Sequence, residues 1–194
     1  AAGPVTTVLV EAQGLTFGAQ SPDALAGFVR STQDELTRIG KIISGSLTLA
    51  RLDSTPHVGD RDCISILDIA LDILKHAHAH AGEQDVRLEL MLPESGELDV
   101  RGDADLVTSM LENVVSNAIE HSPPGEVIRI QLARADENLE ITIRDRGPGI
   151  PELLLPHVLN AHIHGSRKSH GARGRGLGLA IATRVARYHG GVIR

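Results

Sequence analysis

The chain has 194 residues, 41% of them apolar and 23% charged, and a formal net charge of −6. That balance supports a packed core, argues against wholesale disorder and disfavours a non-specific grip on nucleic acid. With only Phe17, Phe28 and Tyr188 as aromatic residues and Cys63 as the single cysteine, the chain has no base-stacking platform, no internal disulfide and no cysteine-built zinc site, and no apolar run approaches the roughly 18–20 residues of a membrane span.

In chain order, Pro4–Phe17 reads as a short amphipathic helix. A longer helix is predicted from Ser21 to about Leu52, with Ser21 as N-cap and Pro22 at the first helical position. Its apolar stripe is Leu25, Val29, Leu36, Ile39 and Ile43, interrupted by Thr32 and Ser46. So narrow a stripe belongs to a bundle or coiled-coil seam and needs a partner, so a helical hairpin that dimerises is expected. Asp53–Gly59 breaks the pattern, because Thr55 precedes Pro56.

Beyond the break the reading is mixed. Ile66–His80 is helical, Val86–Leu92 alternates as a half-buried strand, and Asp103–His121 is a helix with Asp103 as N-cap. Val127–Leu132 and Leu139–Arg144 alternate again and are predicted to pair antiparallel around a turn at 135–138. Arg146–Arg175, rich in Gly, Pro, His and Arg, is mainly loop. Leu177–His189 is a helix stopped by Gly190-Gly191. The fold class is α+β, an α/β sandwich with helices on one face of a mixed, mostly antiparallel sheet, preceded by the helical hairpin.

Three segments carry candidate chemistry. In Glu112–His121 the apolar arc is Val107, Met110, Leu111, Val114 and Ala118, and Glu112, Ser116 and Glu120 lie opposite. Asn113 and Asn117, four apart, stack on one edge, where amide oxygens can serve a hard cation such as Mg²⁺; they serve equally well as ordinary surface residues. Asp145-Arg-Gly-Pro-Gly-Ile150 follows a strand. Its glycines permit close approach to a ligand and its acid can accept from an exocyclic amine, although a plain surface turn has the same composition. Gly174-Arg-Gly-Leu-Gly-Leu179 opens a helix and bares amides that suit phosphate, without the Lys-Ser/Thr of a Walker loop or the βαβ context of a dinucleotide fold.

Taken together and in this order, the three segments resemble the sensor histidine kinases of two-component systems, within the wider ATPase family of gyrase, the heat-shock chaperone of the same fold and MutL. Asn113-Val-Val-Ser-Asn117-Ala resembles the N box, Asp145–Ile150 the first glycine box and Gly174–Ile181 the second. Tyr188-His-Gly-Gly191 resembles the close of the following helix, and Leu47–Ser54 the end of a dimerisation and phosphotransfer helix. The resemblance implies ATP and Mg²⁺ as cofactors. Asn117 would be the principal metal ligand with Asn113 beside it, and Asp145 would select adenine. Gly147 and Gly149 would lie against the base and His121 against the nucleotide. Gly174, Gly176, Leu177 and Gly178 would border the triphosphate beneath a lid from about His157 to Arg173.

The same resemblance implies an ATP-dependent protein-histidine kinase that phosphorylates a His in its own homodimer and passes the phosphoryl to a response-regulator Asp. It implies no nucleic-acid partner and a cytoplasmic location, with any inner-membrane anchor outside this chain. Residues 1–54 would be a partial dimerisation and phosphotransfer segment, 55–60 a linker and 61–194 the ATP-binding domain with its last strand missing. Gly3-Pro4 resembles the end of the phosphoacceptor motif, which puts the acceptor His upstream of Ala1 and implies a fragment that does not autophosphorylate.

Departures from the family pattern keep rivals open. Glu120 stands where a basic residue is common, leaving Arg167, Lys168 and Arg173 of the lid to meet the phosphates, and Val158–His164 lacks the usual Phe. A non-catalytic docking module, a hydrolysing ATPase of the same superfamily and a sigma-factor-binding serine kinase are the alternatives. Asn113 rather than Glu in the water-activating slot speaks against the second, and the Leu-Ala-Arg-Leu-Asp helix against the third. Elsewhere, His76, His78 and His80 are expected to be surface residues rather than a metal site, as are His162, His164 and His170 of the lid. Cys63 is expected to be a small buried residue.

Overall fold

The computed structural model describes residues 22–54, 62–154 and 178–194. The predicted helix Pro4–Phe17, the linker 55–60 and the whole lid 157–173 lie outside these residues. The chain divides into two compact units, Ala1–Leu47 and Thr48–Arg194.

The first unit contains most of helix α1, Pro22–Ser54, which runs on into the second unit. Pro22 occupies the first helical position, where its missing N–H costs no hydrogen bond. Leu25, Val29, Leu36, Ile43 and Leu47 along α1 are all exposed.

The second unit continues with β1 (Cys63–Ser65), α2 (Ile66–Glu83), β2 (Arg87–Met91), β3 (Asp99–Arg101), α3 (Ala104–His121), β4 (Val127–Ala135), β5 (Asn138–Arg144) and α4 (Gly178–Tyr188). β1 and β3 pair antiparallel, and β2, β4 and β5 form a second sheet with β4 in the middle. β2 runs parallel to β4, whereas β4 and β5 are an antiparallel hairpin. The sheet structure is therefore mixed and mainly antiparallel, as the alternation predicts. β1 and β3 are additions, each of three residues, too short to show a period of two.

Local chemistry explains the boundaries. The Asp103 carboxylate accepts from the Leu106 N–H (3.1 Å) at the start of α3, and the Ser65 hydroxyl accepts from the Asp68 N–H (3.2 Å) at the start of α2. α2 ends with Asp85 in the left-handed region (φ 53°), and the Val86 N–H reaches back to the Ala81 carbonyl (2.9 Å). The hairpin turns through Asp136 (φ 55°) and Glu137.

The core sits between α2 and α3 on one side and the three-stranded sheet on the other. Ile128, Ile130 and Leu132 of β4 point inward and alternate with exposed Arg129 and Gln131. They meet Ile66, Ala70 and Ile73 of α2 and Leu111, Val115, Ala118 and Ile119 of α3. The buried arc of α3 thus runs through Val115 and Ile119, rotated from the predicted one, and Val114 is only half-buried. A smaller cluster joins Leu49 of α1 to Leu106, Ile181 and Val185. Cys63 is exposed, contrary to expectation, because β1 places Ile64 inward and its neighbours outward. Among the described residues no helix is long and apolar enough to cross a membrane.

Candidate nucleotide site

The site is built along α3, because the helix that packs on the sheet also carries the two asparagines on the edge of its buried face. Asn113 and Asn117 are both half-buried, as that position requires. The Asn113 side-chain Nδ2 donates to the Ser109 carbonyl one turn back (2.8 Å). Its Oδ1 faces the start of α4, only 2.9 Å from where a side chain on Gly178 would begin. A glycine at 178 is therefore a packing requirement, and it brings the start of α4 against Asn113 of the N box. Asn117 makes no side-chain hydrogen bond with a described residue, so its amide oxygen is available to a ligand.

The first glycine box meets the other end of the same helix. A Cβ on Gly147 would lie 2.8 Å from the His121 carbonyl oxygen and 2.9 Å from Asp145 Oδ1. The turn after β5 can press on the end of α3 only because residue 147 is glycine. The Gly147 N–H donates to Asp145 Oδ1 (2.7 Å), which fixes the exposed carboxylate while its second oxygen has no partner among the described residues. Gly149 takes a left-handed φ of 71°. His121 is half-buried beside this turn.

The structure thus brings Asn113, Asn117, His121, Asp145, Gly147 and Gly178 together along one helix, with Gly149 two residues on in the same turn. Arg167, Lys168, Arg173, Gly174, Gly176 and Leu177 lie outside the described residues. Glu120 is exposed, and its carboxylate accepts from the Ser116 hydroxyl (3.3 Å). Sequence reading missed three residues that shape the surroundings of α3. Ser109 holds the Asn113 amide. Ser122, next to His121, has a buried hydroxyl without a hydrogen-bond partner among the described residues. Gly102 lies at the start of α3 against His189, and its place between a strand and an N-cap aspartate was its only signal.

The α2 histidines lie at the surface. His76 and His78 are exposed, the His76 ring bonds the Asp72 carbonyl (2.7 Å), and His80 lies 3.8 Å from Glu83. No group of three metal-ligating side chains occurs among the described residues.

Mixed sheet, helical layer and glycine-bordered asparagine helix agree with the family match: residues 102–194 match the family described as histidine kinase-, DNA gyrase B-, and HSP90-like ATPase. The chain is 30% identical over 192 residues to the sensor-like histidine kinase SenX3 of Mycobacterium tuberculosis, covering 98% of this chain and 46% of that protein. In fold it is similar to the histidine kinase AdeS of Acinetobacter baumannii (TM-score 0.67, 18% identity, 95% of this chain and 84% of that one). It is also similar in fold to the histidine kinase ThkA, solved in complex with the response regulator protein TrrA (TM-score 0.72, 17% identity, 97% and 52%). Residues 102–194 thus carry an ATPase domain of the matched family, and the chain as a whole is similar to sensor histidine kinases over nearly all of its length. It spans about half or less of the relatives' length.

Proposed function

We propose that the second unit binds Mg²⁺-ATP. In the full-length protein the γ-phosphoryl would pass to a histidine on the helical segment of a dimer, and then to an aspartate of a response regulator. The observation that carries this reading is the convergence of the three motifs on α3: Gly178 against Asn113 near its middle and Gly147 against His121 at its end. The donor set fits the ligand. Asn117 offers an amide oxygen without a described partner, Asp145 an acceptor held in place by its own turn, and Ser122 a buried hydroxyl without a partner among the described residues.

Each residue then has a role. Asp145 accepts from the adenine amine, which guanine cannot supply at that position. Gly147 and Gly149 keep the wall beside the base free of side chains. Asn117, with Asn113 beside it, holds Mg²⁺, which supplies charge neutralisation on the phosphates when bound. The N-terminus of α4 turns its unpaired amides to the same region. The protein contributes mainly position and electrostatics.

Residues 1–54 would serve as the dimerisation and phosphotransfer segment, 55–60 as the linker and 61–194 as the ATP-binding domain. The exposed stripe of α1 supports a homodimer, because the second copy would cover apolar surface that the described residues leave in water. The complex of ThkA with TrrA supports a response regulator as the further partner. The reaction would take place in the cytoplasm, with any inner-membrane anchor supplied by other parts of the protein.

Calorimetric titration with ATP, with and without Mg²⁺ and with GTP as control, tests the reading. Asp145→Asn presents a donor to the adenine amine and removes a charge-assisted bond, so ATP affinity should fall about 10- to 150-fold. An affinity within about twofold of the parent removes Asp145 from the site.

A further inference from the structure

The Tyr188-His-Gly-Gly191 segment has no part in the site as described so far, yet it is tied to it by an unusual arrangement. α4 ends with Gly190 in the left-handed region (φ 77°). The Gly191 N–H donates to the Ala186 carbonyl (2.8 Å) and the Gly190 N–H to the Arg187 carbonyl (3.0 Å). That closure fixes His189 at the helix cap. Its ring is then held from both sides. The backbone N–H of Asp103 donates to His189 Nε2 (3.1 Å) across 86 positions of sequence. A backbone N–H can only donate, so Nε2 is the unprotonated nitrogen and Nδ1 carries the hydrogen, which it gives to the Val185 carbonyl (2.8 Å). Tyr188 stacks edge-on to the ring at 5.4 Å. Gly102 admits the ring: a Cβ there would lie 3.0 Å from His189 Cδ2 and 3.1 Å from Nε2.

These contacts lie at one end of the α3–α4 pair. At the other end, Gly178 meets Asn113. The start of α3 touches the end of α4 and the start of α4 touches the middle of α3, so the helices are antiparallel and joined at two points. One point is the N box itself, and the other is His189. A slip of one residue would slide one helix by about 1.5 Å along the other and take Asn113 off the N-terminus of α4.

We infer that His189 is a positioning residue for the nucleotide site: its neutral imidazole, with the hydrogen on Nδ1, sets the axial register of α3 against α4 and so places Asn113, with Asn117 one turn further on, relative to the α4 N-terminus. This rests on the nucleotide reading above for the identity of the ligand, whereas the clamp rests on the geometry alone.

Two substitutions separate the two ring bonds. Gln reaches as far as Nε2 and can accept from the Asp103 N–H. Asn reaches only to Nδ1 and keeps the Val185 bond. In the full chain, His189→Gln should hold Mg²⁺-ATP affinity within about twofold, whereas His189→Asn should weaken it about threefold to tenfold. Gly102→Ala, which pushes the ring away without straining the backbone, should act like the Asn variant. Long-range ¹H–¹⁵N spectra of the parent chain should show His189 hydrogen-bearing at Nδ1. The Asn113 side-chain amide signal should move in His189→Asn and stay in His189→Gln. Equal loss in the Gln and Asn variants, or an imidazole with its hydrogen on Nε2, overturns the inference. If the parent chain fails to bind Mg²⁺-ATP, the nucleotide reading fails instead, and the tautomer and the Asn113 signal alone decide whether the clamp exists.

Discussion

α1 and α3 are both amphipathic helices, yet the chain treats them differently. In α3, Leu106, Val107, Leu111, Val115, Ala118 and Ile119 are buried against the sheet, α2 and α4. In α1, Leu36 is 61% exposed and Leu25 57%. Both stripes can be read from sequence in the same way, but only one is covered by the described residues. Periodicity shows that a face needs covering and does not say whether the cover comes from the same chain. The wide arc of α3 suits a sheet, which is flat and broad. The narrow stripe of α1 suits another helix. Here the width of the stripe carries the information that the period lacks.

The comparison can be broken most decisively at Ile119, which is 1% exposed. Ile119→Ala should cost about 2–5 kcal/mol in urea unfolding of the second unit, because the cavity lies between α3 and the sheet and cannot collapse easily. A loss below about 1 kcal/mol would mean that this part of the core is loosely packed. A smaller effect is expected at the first turn of α3. Asp103→Ala removes the bond to the Leu106 N–H and should cost about 0.5–2 kcal/mol, read as a lower midpoint with an unchanged denaturant slope. The smallest effect on unfolding belongs to α1. Leu36→Lys should change the unfolding free energy of the dilute, dissociated chain by no more than about 0.5 kcal/mol, while sedimentation at high concentration shows self-association lost. Large destabilisation of the dissociated chain would show that the stripe is covered by its own chain and that the contrast between the helices is wrong.

Much of the second unit can be read in the sequence because its elements are local statements. Asp103 announces the start of α3, and the alternation of Val127–Leu132 announces which side of β4 is buried. The candidate site residues can be read for the same reason: Asn113 and Asn117 fall on one helix edge by spacing, and Asp145–Gly149 declares a turn. What sequence does not show is who meets whom. The Asn113 oxygen facing Gly178, the Gly147 turn pressed on the His121 carbonyl and the His189 ring on the Asp103 amide join residues far apart in the chain, and no periodic signal encodes them. β1 and β3 escape because three residues cannot display an alternation, and Cys63 was misplaced along with β1.

The parallel pairing of β2 with β4 has a consequence for the order in which the molecule assembles. β4 and β5 are joined through two residues and can zip up within themselves on the microsecond scale of an isolated hairpin. β2 finds its place on β4 only after a loop that spans 40 positions, as between Glu89 and Arg129, has been closed with α3 inside it. Asp145 belongs to the early hairpin, whereas Asn113 and Asn117 ride on the late crossover. The half of the pocket that would read the base thus exists before the half that would hold the phosphates. Competence to bind nucleotide should appear in refolding with the slow closure of the parallel pair, after most of the hairpin signal is already complete.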